Sequence, residues 1–195
     1  MVMILTEAQT APLYQMKVVL VESDPEIWRC FCVPSAIRLP KLHQALQRIM
    51  GWKDGHLHAF RAGGKKFQIP SREFDGEPGN DSHDERKFTL AELLLDTEQE
   101  LFYEYDFGDG WSHRLLLEKV LPANPEFQQV LCLDGENACP PEDSGGMGGY
   151  YDLLEVLADP KHEEYDHMRQ WTGGAFDPKA FDLAGVNRAL KKIKM

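Results

Sequence analysis

The first apolar stretches of the chain predict a β-hairpin followed by a helix. Residues 14–22 (YQMKVVLVE) and 27–33 (IWRCFCV) are rich in β-branched and aromatic side chains, and a Ser-Asp-Pro-Glu turn segment separates them. Residues 40–50 predict a helix, because a proline suits its first turn and the apolar positions recur at helical spacing. Gly51 is typical of the residue that ends such a helix.

The middle of the chain predicts two short strands and then a long loop. Residues 56–61 (HLHAFR) and 66–69 (KFQI) are the strand candidates, with Gly63-Gly64 as the turn between them. Residues 71–87 are polar and acidic, which favours a surface loop. A short helix is predicted to follow at Thr89, where Thr-x-x-Glu matches the capping-box pattern.

A second hairpin is predicted around Asp109-Gly110. The apolar runs 101–107 and 111–120 flank this pair, and an Asp-Gly sequence tolerates the positive φ angles of a type I′ turn. In a two-residue loop Asp106 pairs with His113 and the two side chains share a face, whereas a three-residue loop changes this pairing. An aspartate beside a histidine is typical of a base with its orienting group or of a metal site, but also of a polar pair that fixes the register.

The last third of the chain predicts a loop and two helices. Residues 122–147 contain two successive prolines and two glycine pairs, which favour a loop. Helices are predicted over residues 150–157, ended by Asp159-Pro160, and over residues 183–193, with Asp182 as the N-cap.

This order of elements predicts an α+β fold. Consecutive hairpins imply a mainly antiparallel sheet in a single domain, with helices packed on the sheet and a helical C-terminal part. The hairpin–helix–strand start also suits a β-grasp-like core. We expect the domain to comprise residues 14–195 and residues 1–13 to form a frayed leader.

Composition favours a globular protein of the cytoplasm. The chain has 195 residues, of which 43% are hydrophobic and 27% charged, as in ordinary globular domains. No apolar run is long enough for a membrane helix, and the N-terminal residues lack the basic start and apolar core of a signal peptide. We therefore expect the four cysteines to be reduced thiols in the cytoplasm: Cys30, Cys32, Cys132 and Cys139.

The negative charge of the chain is concentrated in its middle. The net charge is −11, yet residues 1–72 hold 10 basic and 5 acidic side chains, whereas residues 73–143 hold 4 basic and 19 acidic ones. This acidic excess argues against direct binding of nucleic acid and against docking to anionic membranes. The partner that the acidic stretch favours is a basic protein surface or a metal cation.

His56-x-His58 is the candidate metal motif. Alternate residues of a strand point to the same side, so the two imidazoles could bind zinc or iron together with a carboxylate such as Asp106 or Asp109. The alternative is that both are ordinary, partly buried histidines. A zinc site built from the four cysteines is disfavoured by their Cys-x-Cys and Cys-x6-Cys spacings, and buried structural thiols are the alternative there.

A glycine-rich segment, residues 139–150 (CPPEDSGGMGGY), precedes a predicted helix. Such a segment could bind an anion at the helix N-terminus, but it lacks the lysine of a Walker motif and the spacing of a Rossmann motif. The alternative is a structural turn in which Glu142 and Asp143 cap the helix themselves. Cys139 has no defined histidine partner, and the prolines that follow it favour a rigid loop over a nucleophilic site.

Four strings of the chain are distinctive: GW…HLHAF (residues 51–60), YDFGDGWSH (residues 105–113), CLDGENACPPEDSGG (residues 132–146) and GGAFDP (residues 173–178). Together they resemble the Ri-plasmid open-reading-frame-three-like proteins, and the resemblance runs over nearly the whole chain. The family implies a compact α+β domain without an established activity. Carried onto this chain, its motifs imply one shared pocket near the second hairpin and the Pro-Pro segment, formed by Asp106, Asp109, Trp111, His113, Cys139, Glu142 and Asp143.

Some members of this family carry a TnpR-like, or resolvase-like, label because they occur as passengers of insertion elements. This sequence departs from the pattern of the serine recombinases and from that of the tyrosine recombinases, which need basic residues around a C-terminal tyrosine. Tyr14 begins YQMKV, without the arginine and serine of a serine recombinase, and the last tyrosine, Tyr165, has no basic cluster around it. Because the acidic charge also opposes the phosphate contacts of recombination, we do not expect resolvase activity.

Three functions remain as hypotheses. The first is a non-enzymatic binding or interaction domain whose acidic, motif-bearing surface meets a basic partner. The second is a metal-binding protein or metal-dependent hydrolase, in which a divalent ion such as zinc is held by ligands from the set His56, His58, His113 and Asp106. The third, implied by the resemblance, is an accessory protein of mobile DNA elements. The lack of a catalytic signature favours the first hypothesis over an enzyme.

Overall fold

One eight-stranded sheet organises the chain. The computed structural model describes residues 11–70, 82–97 and 99–194. In chain order the elements are β1 (Leu13–Leu20), β2 (Trp28–Pro34), α1 (Leu39–Met50), β3 (His58–Ala62), β4 (Lys65–Gln68), β5 (Ser82–Asp84), a 3₁₀ turn (Glu85–Lys87), α2 (Leu90–Leu93), β6 (Glu100–Tyr105), β7 (Trp111–Leu121), β8 (Leu131–Glu136), α3 (Gly146–Ala158), α4 (Tyr165–Trp171) and α5 (Leu183–Leu190).

The sheet is almost entirely antiparallel, as predicted. Its strand order is β5-β4-β3-β6-β7-β1-β2-β8, and only the β4–β5 pair is parallel. The predicted α+β class is therefore confirmed. Strand β1 lies inside the sheet and pairs antiparallel with β2 on one side and β7 on the other. None of the helices in the described ranges is long and apolar enough to cross a lipid bilayer.

Local sequence signals determine the first elements as predicted. The β1–β2 hairpin forms, and α1 has a proline in its first turn and ends at Gly51, whose φ of 95° is accessible to glycine. Gly63 and Gly64 both have positive φ in the two-residue turn between β3 and β4. The capping box at Thr89 is also present, because Glu92 accepts hydrogen bonds from the Thr89 backbone N–H and hydroxyl.

The second hairpin has a different register from the predicted one. Tyr105 pairs with Trp111 and Tyr103 pairs with His113, so the loop comprises residues 106–110 and the predicted Asp106–His113 pair is wrong. The physical reason is that Asp106 leaves the strand, with a φ of 54°. Its Oδ1 accepts hydrogen bonds from the Gly108 and Asp109 N–H groups, and its carbonyl accepts one from Gly110.

Three segments predicted as loop or domain start differ from the observed elements. Residues 82–84 form β5, because they pair with β4, and residues 85–87 form a 3₁₀ turn; residues 71–81 of the predicted loop lie outside the described residues. Within the predicted loop 122–147, β8 pairs with β2. At the other end, Leu13 already belongs to β1, and residues 1–10 of the predicted leader lie outside the described ranges.

The core lies where the inner face of the sheet meets the helices. Leu39, Leu42, Leu46 and Ile49 of α1 are buried against strand side chains that include Phe31, Phe60 and Tyr103. Burying one such large apolar side chain contributes about 1.5–3 kcal/mol to folding. This packing fixes the positions of the strand ends.

Strand β8 lies at one edge of the sheet and α5 packs on it. The Asn187 side chain of α5 contacts the outer backbone of this strand. Its Oδ1 accepts a hydrogen bond from the Cys132 N–H at 2.9 Å, and its Nδ2 donates one to the Cys132 carbonyl at 2.9 Å.

Candidate functional site

Three loops meet at one end of the sheet. They are the α1–β3 loop (residues 51–57), the hairpin loop (residues 106–110) and the Pro-Pro loop (residues 137–145), each of which adjoins a strand end. The strand pairing explains their proximity, because the start of β3 pairs with the end of β6, and the end of β8 pairs with the start of β2. Each loop belongs to one of the distinctive strings of the sequence.

His56, Asp106 and Asp143 form the His-Asp-Asp cluster, with one residue from each of the three loops. His56 Nδ1 lies 3.6 Å from Asp106 Oδ2, and His56 Nε2 lies 3.2 Å from Asp143 Oδ1. One ligand atom from each residue lies within 4.8 Å of the other two. The side chain of Asp106 is 11% exposed, that of His56 32% and that of Asp143 71%, so the cluster opens to solvent on the Asp143 side.

Hydrogen bonds hold the Pro-Pro loop against the other two loops. Glu142 Oε1 accepts hydrogen bonds from the Tyr105 hydroxyl at 2.6 Å and from the Lys53 N–H at 3.0 Å. Asp109 Oδ2 accepts one from the Gly145 N–H at 3.1 Å, and Trp52 Nε1 donates to the Pro140 carbonyl. Glu142 and Asp109 are thus occupied in positioning the loops.

Asp106 is fixed from both sides. Its N–H donates to the Leu57 carbonyl at 2.9 Å, which continues the β3–β6 pairing by one step, while its Oδ1 accepts from the hairpin loop. Oδ2 remains directed at His56. The edge of the His56 ring meets Tyr105 at a centroid distance of 5.8 Å. Two of the three members of the cluster are therefore held by backbone bonds or ring packing.

Trp111 and His113 do not belong to this surface. Both are fully buried, and Trp52 packs over them with ring centroids 6.0 Å and 5.1 Å away. His113 Nδ1 lies 3.1 Å from the Tyr103 carbonyl, and burial lowers the pKa of His113 to about 4. The structure therefore does not bring His113 to the other proposed metal ligands, and it places Trp111 in the core, away from the surface of the cluster.

The cysteines also lie outside the cluster. All four have free thiols, and burial raises the pKa of Cys132 to about 11 and that of Cys139 to about 12. A thiol with so high a pKa is a poor nucleophile at neutral pH. No cysteine takes part in the metal-ligand group found among the described residues. Cys139 lines a pocket together with Glu142 and Asp143, but it is not one of the residues whose ligand atoms converge in the cluster.

His58 forms a stacked pair with His43. The two ring centroids lie 3.5 Å apart and the ring planes are nearly parallel. His43 Nε2 lies 2.7 Å from Asp54 Oδ1 and Nδ1 lies 2.8 Å from the Tyr103 hydroxyl. Burial and the neighbouring His58 lower the pKa of His43 to about 4, so the neutral ring donates to Asp54 and accepts from Tyr103. Among the described residues, His58 is not one of those whose ligand atoms converge with His56.

Sequence reasoning missed His43, Asp54, Glu85 and Tyr103 as members of this second cluster. His43 lies on the apolar face of α1, beside Leu42 and Leu46, and a polar residue on such a face is the one signal that could have identified it. Glu85 is completely buried and contacts His58. Its position follows from the β4–β5 pairing, which no local pattern indicates.

The fold and the site define an α+β domain whose three loops bring one histidine and two aspartates together at the end of an antiparallel sheet. The chain belongs to the family described as plasmid pRiA4b ORF-3-like protein, whose profile matches residues 12–185. The resemblance stated from the four strings is confirmed.

Two proteins show how far this similarity extends. The uncharacterized protein y4hQ of Sinorhizobium fredii (strain NBRC 101917 / NGR234) is 37% identical over 185 residues, which cover 94% of this chain and 93% of that protein. A crystal structure of a protein of unknown function, MM3350 from Methanosarcina mazei Go1, has a TM-score of 0.80 and 36% identity, and the match covers 91% of this chain and 98% of that chain. The fold described above is thus shared with a solved structure.

Proposed function

We propose that this protein binds a divalent metal ion through His56, Asp106 and Asp143. The observation that supports this function is the convergence of three distant segments on one point with an imidazole and two carboxylates. Only one ring nitrogen of His56 can bind the ion, and one ligand atom from each of the three residues lies within 4.8 Å of the other two, which is within reach of a shared ion. Zinc is the first candidate, since it accepts histidine nitrogen and carboxylate oxygen together.

The charge of the cluster supports the same proposal. Two carboxylates neutralise a divalent ion, and no lysine or arginine among the described residues forms an ion pair with either of them. Three protein ligands leave further coordination positions for water or a bound molecule. A metal-dependent hydrolase is therefore the enzymatic form of this proposal, with the metal as a Lewis acid and source of bound hydroxide.

The test is the zinc content and zinc affinity of tag-free protein. We expect about one zinc ion per chain by elemental analysis after gel filtration, and at least tenfold weaker binding by calorimetry in His56→Ala and in Asp143→Asn. Asp143→Asn is the sharper variant, because that side chain is largely exposed and its replacement leaves the packing unchanged.

The matched control is Asp152→Asn, which removes an exposed carboxylate from α3. Its zinc affinity should equal that of the unmodified protein. Metal far below one equivalent, or equal affinity in all three variants, would exclude the cluster as a metal site.

A second candidate function is an interaction domain for a basic partner. It is favoured by the concentration of acidic residues between positions 73 and 143, which contribute Asp106, Glu142 and Asp143 to two of the three loops. Direct nucleic-acid binding is opposed by the same charge. A role beside mobile DNA elements stays a prediction based on the family resemblance alone. The four free thiols favour the reducing cytoplasm as the location of the protein.

A further inference from the structure

A pocket of about 350 Å³ adjoins the His-Asp-Asp cluster and shares His56 with it. We name it the Glu85 pocket, after the residue that distinguishes it. Its polar side chains include Asp54, His58 and Glu85, while Leu57, Ile69 and Phe107 form an apolar rim.

Glu85 contributes a buried carboxylate oxygen without a hydrogen-bond donor. The residue has no exposed surface. His58 Nε2 lies 3.2 Å from Oε1 and 3.1 Å from Oε2, but only the contact with Oε1 has the geometry of a hydrogen bond. No described residue donates to Oε2. Because a buried carboxylate oxygen without a donor is costly, the site favours a ligand that supplies one.

The charges around the pocket favour a cation. Asp54 and Glu85 are its carboxylates, and no lysine or arginine is among the described residues that line it. The adjacent metal site does not oppose this preference, since Asp106 and Asp143 balance the charge of a divalent ion. A positively charged donor would therefore be attracted by the vacant oxygen of Glu85.

The rim favours an apolar stem behind that cation. Leu57, Ile69 and Phe107 are 53%, 41% and 40% exposed, although each is a large hydrophobic residue. The Phe107 ring already receives a cation, because Lys66 Nζ lies 5.1 Å from its centroid. Alkyl or aryl groups would gain contact area at this rim.

We propose that the Glu85 pocket binds a primary ammonium or guanidinium group carried on an apolar stem. The cation donates to Glu85 Oε2, and the stem packs between Leu57, Ile69 and Phe107. Such a group comes either from a lysine or arginine side chain of a partner protein or from a free small amine. The proposal does not require the metal ion, and it specifies the chemistry of the basic partner in the second candidate function.

The test is an NMR titration of EDTA-treated, isotope-labelled protein with benzylamine and, separately, with benzyl alcohol. The alcohol has the same stem and lacks the charge. We expect saturable shifts of the Leu57, Ile69 and Phe107 backbone amides with benzylamine, and at least tenfold weaker binding of benzyl alcohol. Because metal is absent, this result is independent of the outcome of the zinc experiment.

Two variants locate the binding. Glu85→Gln keeps the shape of the side chain and removes its charge, so benzylamine affinity should fall at least tenfold. Because Glu85 is buried and its replacement could impair folding, Ile69→Lys is the second variant; it places a tethered ammonium at the exposed rim and should abolish binding. The control is Glu118→Gln, which removes an exposed carboxylate from β7 and should change nothing.

The two sources of the cation are distinguished by comparing benzylamine and n-butylamine with a capped Ala-Lys-Ala peptide. Binding of the peptide at least tenfold tighter than n-butylamine identifies a protein partner, whereas equal or weaker binding of the peptide identifies a small amine. Equal affinity for benzylamine and benzyl alcohol, or unchanged benzylamine affinity in Ile69→Lys, would overturn the proposal.

Discussion

Two buried histidines make the stability of the folded protein depend on pH in a way that exposed histidines do not. His113 and His43 are neutral in the folded state, since burial lowers the pKa of each from its ordinary value of 6.5 to about 4. The unfolded chain binds protons at these positions below pH 6.5, whereas the folded chain does so only near pH 4. Their contribution to stability is therefore complete above pH 6.5 and is lost as the pH falls toward 4.

We expect the free energy of unfolding to fall between pH 7 and pH 5 by about 2 kcal/mol for each of these two histidines. Urea denaturation at a series of pH values measures this slope. The variant His113→Gln should be less stable at pH 7 but should show a smaller slope. His167→Gln, at an exposed position of α4, is the control and should keep the slope of the unmodified protein; an equal slope in His113→Gln would contradict the assignment.

At the scale of single residues, the sequence indicated some members of the candidate site. The His-x-His spacing made His56 a candidate metal ligand, with Asp106 as a possible partner, and the family motifs implied Asp106 and Asp143 as members of one pocket. His113 lies apart from the cluster, and the alternation of Trp111, His113, Leu115 and Leu117 along β7 does indicate the buried face. What no local pattern gives is the exit of Asp106 from its strand, since two different loop lengths fit the same Asp-Gly sequence.

The start of α3 determines how closely the Pro-Pro loop approaches the hairpin loop. Gly146 has a φ of 70°, and a Cβ atom there would lie 2.6 Å from the Asp109 carbonyl oxygen. Gly148, in the same helix, has no atom within 4 Å of a Cβ position and no positive φ. The two glycines therefore respond differently to the same substitution.

Gly146→Ala is expected to destabilise the protein by about 1–3 kcal/mol, because it combines backbone strain with a contact that must open. It should also weaken zinc binding, since Asp143 would move away from His56. Gly148→Ala should be neutral or stabilise by up to about 1 kcal/mol, as alanine favours a helix. Chemical denaturation measures the stability of both variants, and calorimetry measures their zinc affinity. Equal effects of the two substitutions would argue against the close approach at Gly146.

Among the elements, those with an apolar face were predictable and those without one were not. The amphipathic α1 and the strands of both predicted hairpins were found, whereas α4 has no buried residue and so offers no apolar stripe. Strand β8 escaped prediction for a related reason. Its Leu131 and Leu133 are 40% exposed, and an Asp-Gly pair within it resembles a turn.

On the scale of the whole molecule, the site depends on the order of the strands. His56 and Asp106 meet because β3 lies beside β6, and Asp143 reaches them because β8 ends at the same side of the sheet. Local periodicity predicts strands but does not rank their neighbours, so the convergence could not be deduced from it. The family strings came closest, because they imply one pocket near the hairpin and the Pro-Pro segment, with Asp106 and Asp143 among its members but without His56.

The Asn187 amide occupies the outer hydrogen-bonding groups of Cys132, at an edge of the sheet that would otherwise present a free N–H and C=O. We expect Asn187→Ala to lower the free energy of unfolding by about 1–3 kcal/mol, through the loss of both hydrogen bonds. Light scattering at rising protein concentration should show self-association of this variant. Arg188→Ala, at an exposed position of the same helix, should stay monodisperse to the same concentration as the unmodified protein.

A single side-chain amide thus mimics one residue of a missing neighbouring strand. At Cys132 the edge therefore cannot pair with a strand from a second molecule, and such pairing is the first step of sheet-driven aggregation. Helix α5, which contributes Asn187, therefore hinders the pairing of β8 with a strand of another molecule, besides covering part of the core.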